Sequence, residues 1–349
     1  MGILARRQKR MAQALKVVAA GACLWGVLLS PTFAGAVKVE VEKDTFLDFH
    51  LLLQPWAQFR YEDLSAEAEK QHGFGDFYLR RTRIIVAGQI TKWVNFFVET
   101  DQPNWGKGGD WTSSPMIIQD AYVSFDLHEK FRLVAGMLLT PFVHNLSQGA
   151  VNLHTLDYHV DLAKYPQGSN KGWRDMGVMA RGFLLHRKID YRLAITNGVQ
   201  DGAEVIKATE TTPAVVARTG ECPRFSGRIA YNFFDAEEGF FLGGTYLGKK
   251  KVLSVGLAYD AQPGVYGDGG HYWGLGGDIF VDIPLGYRRL SGQLDVVAYG
   301  GNKNPNRGVG AAFDLGYAIG RFEPLVSVDW FRPEGGAKSP SSSWASMRA

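Results

Sequence analysis

Two arginines one residue apart, Arg81 and Arg83, stand in the stretch "FYLRRTRIIVAGQITKWVNFFVETD", Phe77 to Asp101. A guanidinium stays charged at any working pH and presents a planar fork of donors that fits phosphate and carboxylate oxygens. In an extended chain, residues two apart project to the same side. Arg81 and Arg83 therefore share one face, with Thr82, Ile84 and Val86 on the other. The same parity puts Arg60, Arg132, Arg192, Arg224 and Arg228 on the polar side of their own segments. Two chemistries are open. The arginines form a track that conducts anions, or they pair with the acids that share their face: Asp48, Glu99, Asp101, Asp120, Asp190, Asp278 and Asp282.

The elements that carry these residues are strands. In "LDFHLLLQPWAQFRY", Leu47, Phe49, Leu51, Leu53, Ala57, Phe59 and Tyr61 alternate with a set holding Asp48, His50, Gln54, Gln58 and Arg60. The pattern recurs in "QDAYVSFDL", "IDYRLAIT", "RFSGRIAYNFF" and later segments, giving about thirteen strands. No amphipathic helix separates them, so neighbours in sequence pair antiparallel. Short connections (89–93, 126–130, 185–188, 284–288, 318–321) alternate with longer ones (62–76, 103–115, 143–174, 201–223, 263–270, 301–307). Only 235–251 is too long for its place, which predicts a small extra strand or an inward fold there.

Alternation alone also suits a soluble β-sandwich that binds sugar or protein. Three details favour a transmembrane antiparallel up-and-down β-barrel. The strands are many and near the ~10 residues that a tilted spanning strand needs. Aromatics such as Trp93, Phe131, Tyr259, Tyr287, Phe322 and Trp330 gather near strand ends, as in interfacial girdles. Full charges on the polar face suit a wet lumen. In that arrangement the oily side meets lipid and the ionic side lines water.

The N-terminal segment reads as an export signal, residues 1–36. Arg6, Arg7, Lys9 and Arg10 precede an apolar run from Val17 to Leu29, and Ala34-Gly35-Ala36 supplies a small-x-small cleavage site. The full chain holds 38 basic and 35 acidic residues; without the leader, 33 basic residues remain against the same 35 acids. A formal charge of −2 argues against nucleic acid as a partner. Cys23 leaves with the leader, and Cys222 alone makes no internal disulfide.

The stretches Phe77–Asp101, Ile118–Phe142 and Gly243–Gln262 resemble the phosphate-selective porin O and P family. The run from Leu79 to Arg83 and the triplet Thr140-Pro141-Phe142 are the sharpest points of likeness. The resemblance implies an outer-membrane porin of sixteen strands, usually a homotrimer, passing small anions such as phosphate or polyphosphate by diffusion. It implies no chemical step and no cofactor. The expected organisation is a barrel over 37–333 and an irregular tail over 334–349, with about three C-terminal strands of the family pattern missing.

The expected ion-pathway residues are Arg60, Arg81, Arg83, Arg132, Arg192, Arg228, Lys164 and Lys171. The two lysines lie in the loop 143–174, which is long enough to narrow a pore. Its His144, His154 and His159 are spaced ten and five apart and match no metal-ligand pattern. "GLGGD" at Gly274 and "GVGAAF" at Gly308 open no helix and read as strand glycines. A barrel hydrolase is the alternative of another class, but no serine, histidine and acid stand together in the sequence, and His50 and His128 lack an evident serine partner.

Overall fold

The computed structural model describes residues 33–62, 72–112, 114–166, 173–199, 203–206, 215–218, 222–265 and 270–334. Its strands are β1 (Phe33–Glu42), β2 (Thr45–Glu62), β3 (His72–Thr91), β4 (Val94–Asp101), β5 (Ile117–His128), β6 (Phe131–Leu139), β7 (Arg174–Leu184) and β8 (Ile189–Thr196). They continue with β9 (Ala203–Ile206), β10 (Val215–Arg218), β11 (Arg224–Asn232), β12 (Val252–Pro263), β13 (His271–Leu285), β14 (Arg288–Gly300), β15 (Gly308–Ile319) and β16 (Leu325–Pro333). Fourteen form one sheet in chain order, β1 to β8 and then β11 to β16. All its pairings are antiparallel, as short hairpin turns require. The hairpin β9–β10 stands apart, so β8 pairs directly with β11. Among the described residues, β1 and β16 are the sheet's two edges and do not pair with each other.

Three strands are missing from the sequence count: β9 and β10, within the connection expected at 201–223, and β1 of the main sheet. Strand β1 straddles the expected cleavage point: Phe33–Ala36 pair with Leu53–His50, and Val37 onward pair with Phe49 onward. Cleavage after Ala36 would remove four of its ten residues. The rest of the expected leader and nearly all of the expected tail lie outside the described residues.

The faces of the sheet are inverted relative to a soluble protein. Ile84, Ile229 and Leu257 are 48%, 51% and 66% exposed, whereas Ser226, Asp278 and Asp314 are at most 3% exposed. A continuous exposed apolar face of this extent is stable where hydrocarbon covers it. No helix among the described residues is long and apolar enough to cross a membrane; the crossing elements are strands. Tight turns close one end. Gly286 and Gly320 sit there at φ 68° and 61°, a left-handed backbone that glycine adopts without a steric penalty.

Two segments fold against the inner face from opposite ends. The loop after β6 packs Phe142, Val143, Leu146, Leu162 and Tyr165 against Tyr272, Val297, Tyr299, Ala312 and Phe331. The segment between β11 and β12 is the inward fold expected at 235–251. Its Leu242 bridges to Gln148 of the first loop, and its Phe241 and Phe240 meet Phe97 and Tyr122 of the wall. Contacts from β3 round to β16 converge on these two segments, so the sheet curls about them.

Candidate functional site

The strongest concentration of charge on the inner wall begins at a β-bulge. Pro55 of β2 has no N–H for the ladder. Pairing steps from Gln54↔Arg81 to Pro55↔Leu79, leaving Arg80 as the extra residue. The bulge turns Arg80 toward the same side as Arg81. Both hold Asp157 of the inward loop, Arg80 Nε donating to Oδ2 at 2.7 Å and Arg81 to Oδ1 at 2.6 Å. Burial pushes the Asp157 carboxyl up, but Arg81 and Arg80 more than offset it and hold it below the usual carboxylate range. Beyond the bulge the parity reverses: Tyr78 is buried inside while Phe77 is exposed outside. Sequence parity excluded Arg80; the proline in the facing strand was the signal for it.

Arg83 also faces inward and donates to Glu99 at 2.5 Å and Asp101 at 2.9 Å. Beside it Arg174 Nε donates to Asp120 at 3.0 Å. Arg224 and Arg228 make two-pronged bonds to Asp260 (2.7 and 2.6 Å) and Asp278 (2.9 and 2.6 Å). Arg192 reaches Asp190 at 3.3 Å and the carbonyls of Phe240 and Gly239. Of the two chemistries left open by the sequence, the structure displays the pairing: the arginines share one wall, and most are bonded to acids on it.

Four of them form a lateral row. Cross-strand pairing sets Arg132 of β6 beside Arg181 of β7, Arg181 beside Arg192 of β8, and Arg192 beside Arg228 of β11. Arg181 went unpredicted because β7 carries apolar residues on both faces. Met176 and Val178 are exposed, Met179 and Phe183 buried, and this mixture hides the alternation. Arg181 donates to the carbonyls of Glu238 and Gly239. Among the described residues it has no carboxylate within ion-pair distance. Arg132 is half-buried, 4.0 Å from Asp126.

The other expected residues fall as follows. Lys164 donates to Asp161 at 3.2 Å and stands 4.8 Å from the Phe331 ring centre. Arg60 pairs with Phe74 in the backbone register. Lys171 lies outside the described residues.

The inward loop is latched on both sides. Asp157 binds β3, while His159 Nε2 bonds Asp314 of β15 at 3.0 Å and Nδ1 lies 3.4 Å from Asp329 of β16. Burial disfavours charge on His159, but bonds to Asp314 and Asp329 more than offset it and raise its pKa to about 10. His144 joins the two inward segments: its Nε2 lies 3.0 Å from both oxygens of Glu237, and its Nδ1 is 3.0 Å from Gln148 Nε2. Gln148 Nε2 also donates to Gln293 Oε1, whose own Nε2 donates to Asp314. With both Gln148 hydrogens donated, His144 Nδ1 accepts and Nε2 carries the hydrogen given to Glu237.

A serine, a histidine and an acid do meet, unseen in the sequence because they lie 137 and 169 residues from His154. Ser291 Oγ is 3.0 Å from His154 Nε2, and Glu323 Oε1 is 3.4 Å from the same nitrogen. A relay needs the acid on the other ring nitrogen. Here His154 Nδ1 is buried without a partner among the described residues, so the group is arranged as a structural network. Gly316 makes room for it, since a Cβ there would stand 2.7 Å from both His154 Nε2 and Glu323 Oε1. No group of three metal-ligating side chains occurs among the described residues.

Gly276 on β13 seats the base of the loop. A Cβ there would run into Val143 and stand 3.4 Å from the Phe142 ring. Gly276→Leu is expected to lift the loop base and destabilise the fold by about 1–3 kcal/mol through overpacking. Single-channel recording should show a larger, noisier conductance; an unchanged trace with unchanged stability would place the loop elsewhere.

An exposed apolar band outside, a buried ionic wall inside and an all-antiparallel sheet define a transmembrane β-barrel of the outer-membrane porin class. Within that class, the model of the phosphate-selective porin O and P family matches residues 51–217. The match contains two of the three stretches that carried the resemblance, Phe77–Asp101 and Ile118–Phe142. Among solved structures, the chain is similar to the anion-selective porin from Comamonas acidovorans, with 13% identity, 83% of this chain and 80% of that one covered, and a TM-score of 0.49. It is also similar to OmpT, an outer membrane protein of Vibrio cholerae, in its trimer form, with 8% identity, 87% and 96% coverage and a TM-score of 0.42. The comparison with curated proteins finds no match.

Proposed function

We propose that this porin passes small solutes by diffusion and favours anions, phosphate among them. The observation that supports this reading is the row Arg132, Arg181, Arg192 and Arg228 on one wall. Asp126, Asp190 and Asp278 offset three of its charges. Arg181 has carbonyl acceptors only among the described residues and leaves this row of four, rather than the whole wall, one positive charge in excess. The row also ends toward the more open part of the interior, where Asn95, Ser124, Asp126 and Arg132 are half-buried. Pore selectivity follows from charge and donors at close quarters. Arg81 and Arg83 contribute to this wall through fixed ion pairs, and Lys164 of the loop adds a cation.

The same proposal includes cleavage of the leader after Ala36, a barrel over 37–333 narrowed by the loop 143–174, and a homotrimer as the family resemblance implies. Planar-bilayer reversal potentials in a salt gradient test the anion preference, followed by titration with phosphate. Arg132→Gln with Arg181→Gln is expected to lower the anion-to-cation permeability ratio about fivefold, the effect of ~1 kcal/mol of electrostatic stabilisation. A cation preference in the parent protein, with no block by phosphate, would overturn the reading. Chemical crosslinking in membranes tests the trimer.

A further inference from the structure

The outward face ends, on the side of the short turns, in a rim of cations that the interior does not use. Lys92 stands 4.3 Å from the ring centre of Trp93, Lys251 is 3.9 Å from that of Phe234, and Arg288 is 5.0 Å from that of Tyr287. All six residues are exposed. They lie at three separate connections, β3–β4, β11–β12 and β13–β14, so the arrangement recurs along the rim. Lys130, Lys249 and Arg321 add exposed cations at the same level.

The acids of these turns are occupied. Glu129 and Glu238 both pair with Arg187. Glu323 turns inward to Arg289, Ser291 and His154. Asp235 accepts the backbone N–H of Lys251. At the β1–β2 turn the exposed acids Glu42 and Asp44 flank Lys43; at the β3–β4, β11–β12 and β13–β14 connections what faces outward is cation beside aromatic. Aromatic rings settle at headgroup depth in a bilayer, and a long basic side chain carries its charge from there to the phosphate layer.

We propose that this rim binds the anionic headgroups of phospholipids, phosphatidylglycerol being the simplest, in the leaflet that meets the short turns. The assignment rests on the membrane-spanning reading of the sheet and goes beyond it in naming the lipid chemistry and the side. Charge complementarity selects this occupant: a zwitterionic headgroup gives the cations no net attraction, whereas an anionic surface attracts each of them.

The test uses the full chain refolded into vesicles of phosphatidylcholine alone or mixed with phosphatidylglycerol. Bound lipid is then read by native mass spectrometry after detergent extraction. Phosphatidylglycerol is expected to be retained about tenfold over its share of the mixture. In Lys92→Gln/Lys251→Gln/Arg288→Gln the enrichment should fall toward one; the arginine-for-lysine variant of the first two positions should keep it. Each single variant is measured as well, so that a triple variant that fails to fold still leaves a graded series. Absence of enrichment in the parent protein, or enrichment undiminished by the turn substitutions, overturns the proposal. So does an enrichment lost on replacing Lys303 and Arg307 at the long-loop end instead. Conductance in phosphatidylcholine bilayers reports the porin reading separately, because none of the three rim residues lies on the inner wall.

Discussion

Arg228→Met is expected to lower the unfolding free energy by about 3–5 kcal/mol. The reason is what it leaves behind. Asp278 has a fully buried side chain, and both of its oxygens take their hydrogen bonds from Arg228. Removing the guanidinium strands a carboxylate away from water with no replacement donor. The paired change Arg228→Met with Asp278→Leu is expected to recover most of the loss, since exchanging a buried ion pair for apolar residues of similar volume is often neutral or favourable. Arg132→Met gives the contrast. Its contact with Asp126 is 4.0 Å long with both side chains partly exposed, and such pairs contribute about 0–1 kcal/mol. Denaturant titration of vesicle-inserted protein, read by heat-modified gel mobility, separates the three. Equal losses for Arg228→Met and Arg132→Met would mean that the inner wall is wetter than its burial implies. Failure of the double change to recover would assign Arg228 to packing rather than to its acid.

The second large effect is on pH. His159 holds its proton up to about pH 10 when the loop is docked between Asp314 and Asp329, against about 6.5 when free. The docked state therefore binds the proton more tightly. Its advantage is fully present below about pH 6.5, declines as the pH rises, and is lost as the pH passes about 10. Conductance noise from loop motion should be lowest in mildly acidic buffer and increase through this alkaline window. His159→Gln keeps one donor but cannot titrate, and it should flatten the dependence while starting from a looser loop. A parent protein whose conductance noise stays constant from pH 6 to pH 10 would contradict the latch. Asp157 does not produce the trend, because its pairs with Arg80 and Arg81 hold it below the ordinary carboxylate range.

The residues that sequence reasoning reached and those it missed differ in one physical respect. Period-two alternation is local, so the sides of Arg81, Arg83, Arg192 and Arg228 were readable from neighbours two positions away. Connection length found the excess at 235–251, which left an extra strand and an inward fold open; the structure shows the inward fold. Arg80 was hidden because a bulge shifts parity, and the bulge depends on which residue of another strand lies opposite. Arg181 was hidden by apolar residues on both faces of β7. β1 escaped because its first residues also fit an export leader.

By itself the sequence determined the strand texture and the antiparallel order, because each follows from side-chain alternation and turn length within a few residues. The oily outside and ionic inside were favoured by strand number, aromatics at strand ends and full charges on the polar face, since alternation alone fits either sense. Only the tertiary structure decided which charges meet. Asp157 reaches back to β3, His159 reaches forward to β15 and β16, and Arg228 finds Asp278 fifty residues on. Alternation assigns a side chain to a face but carries no information about its partner across the lumen. That choice is made when the sheet curls and two segments from opposite ends fill the space it encloses.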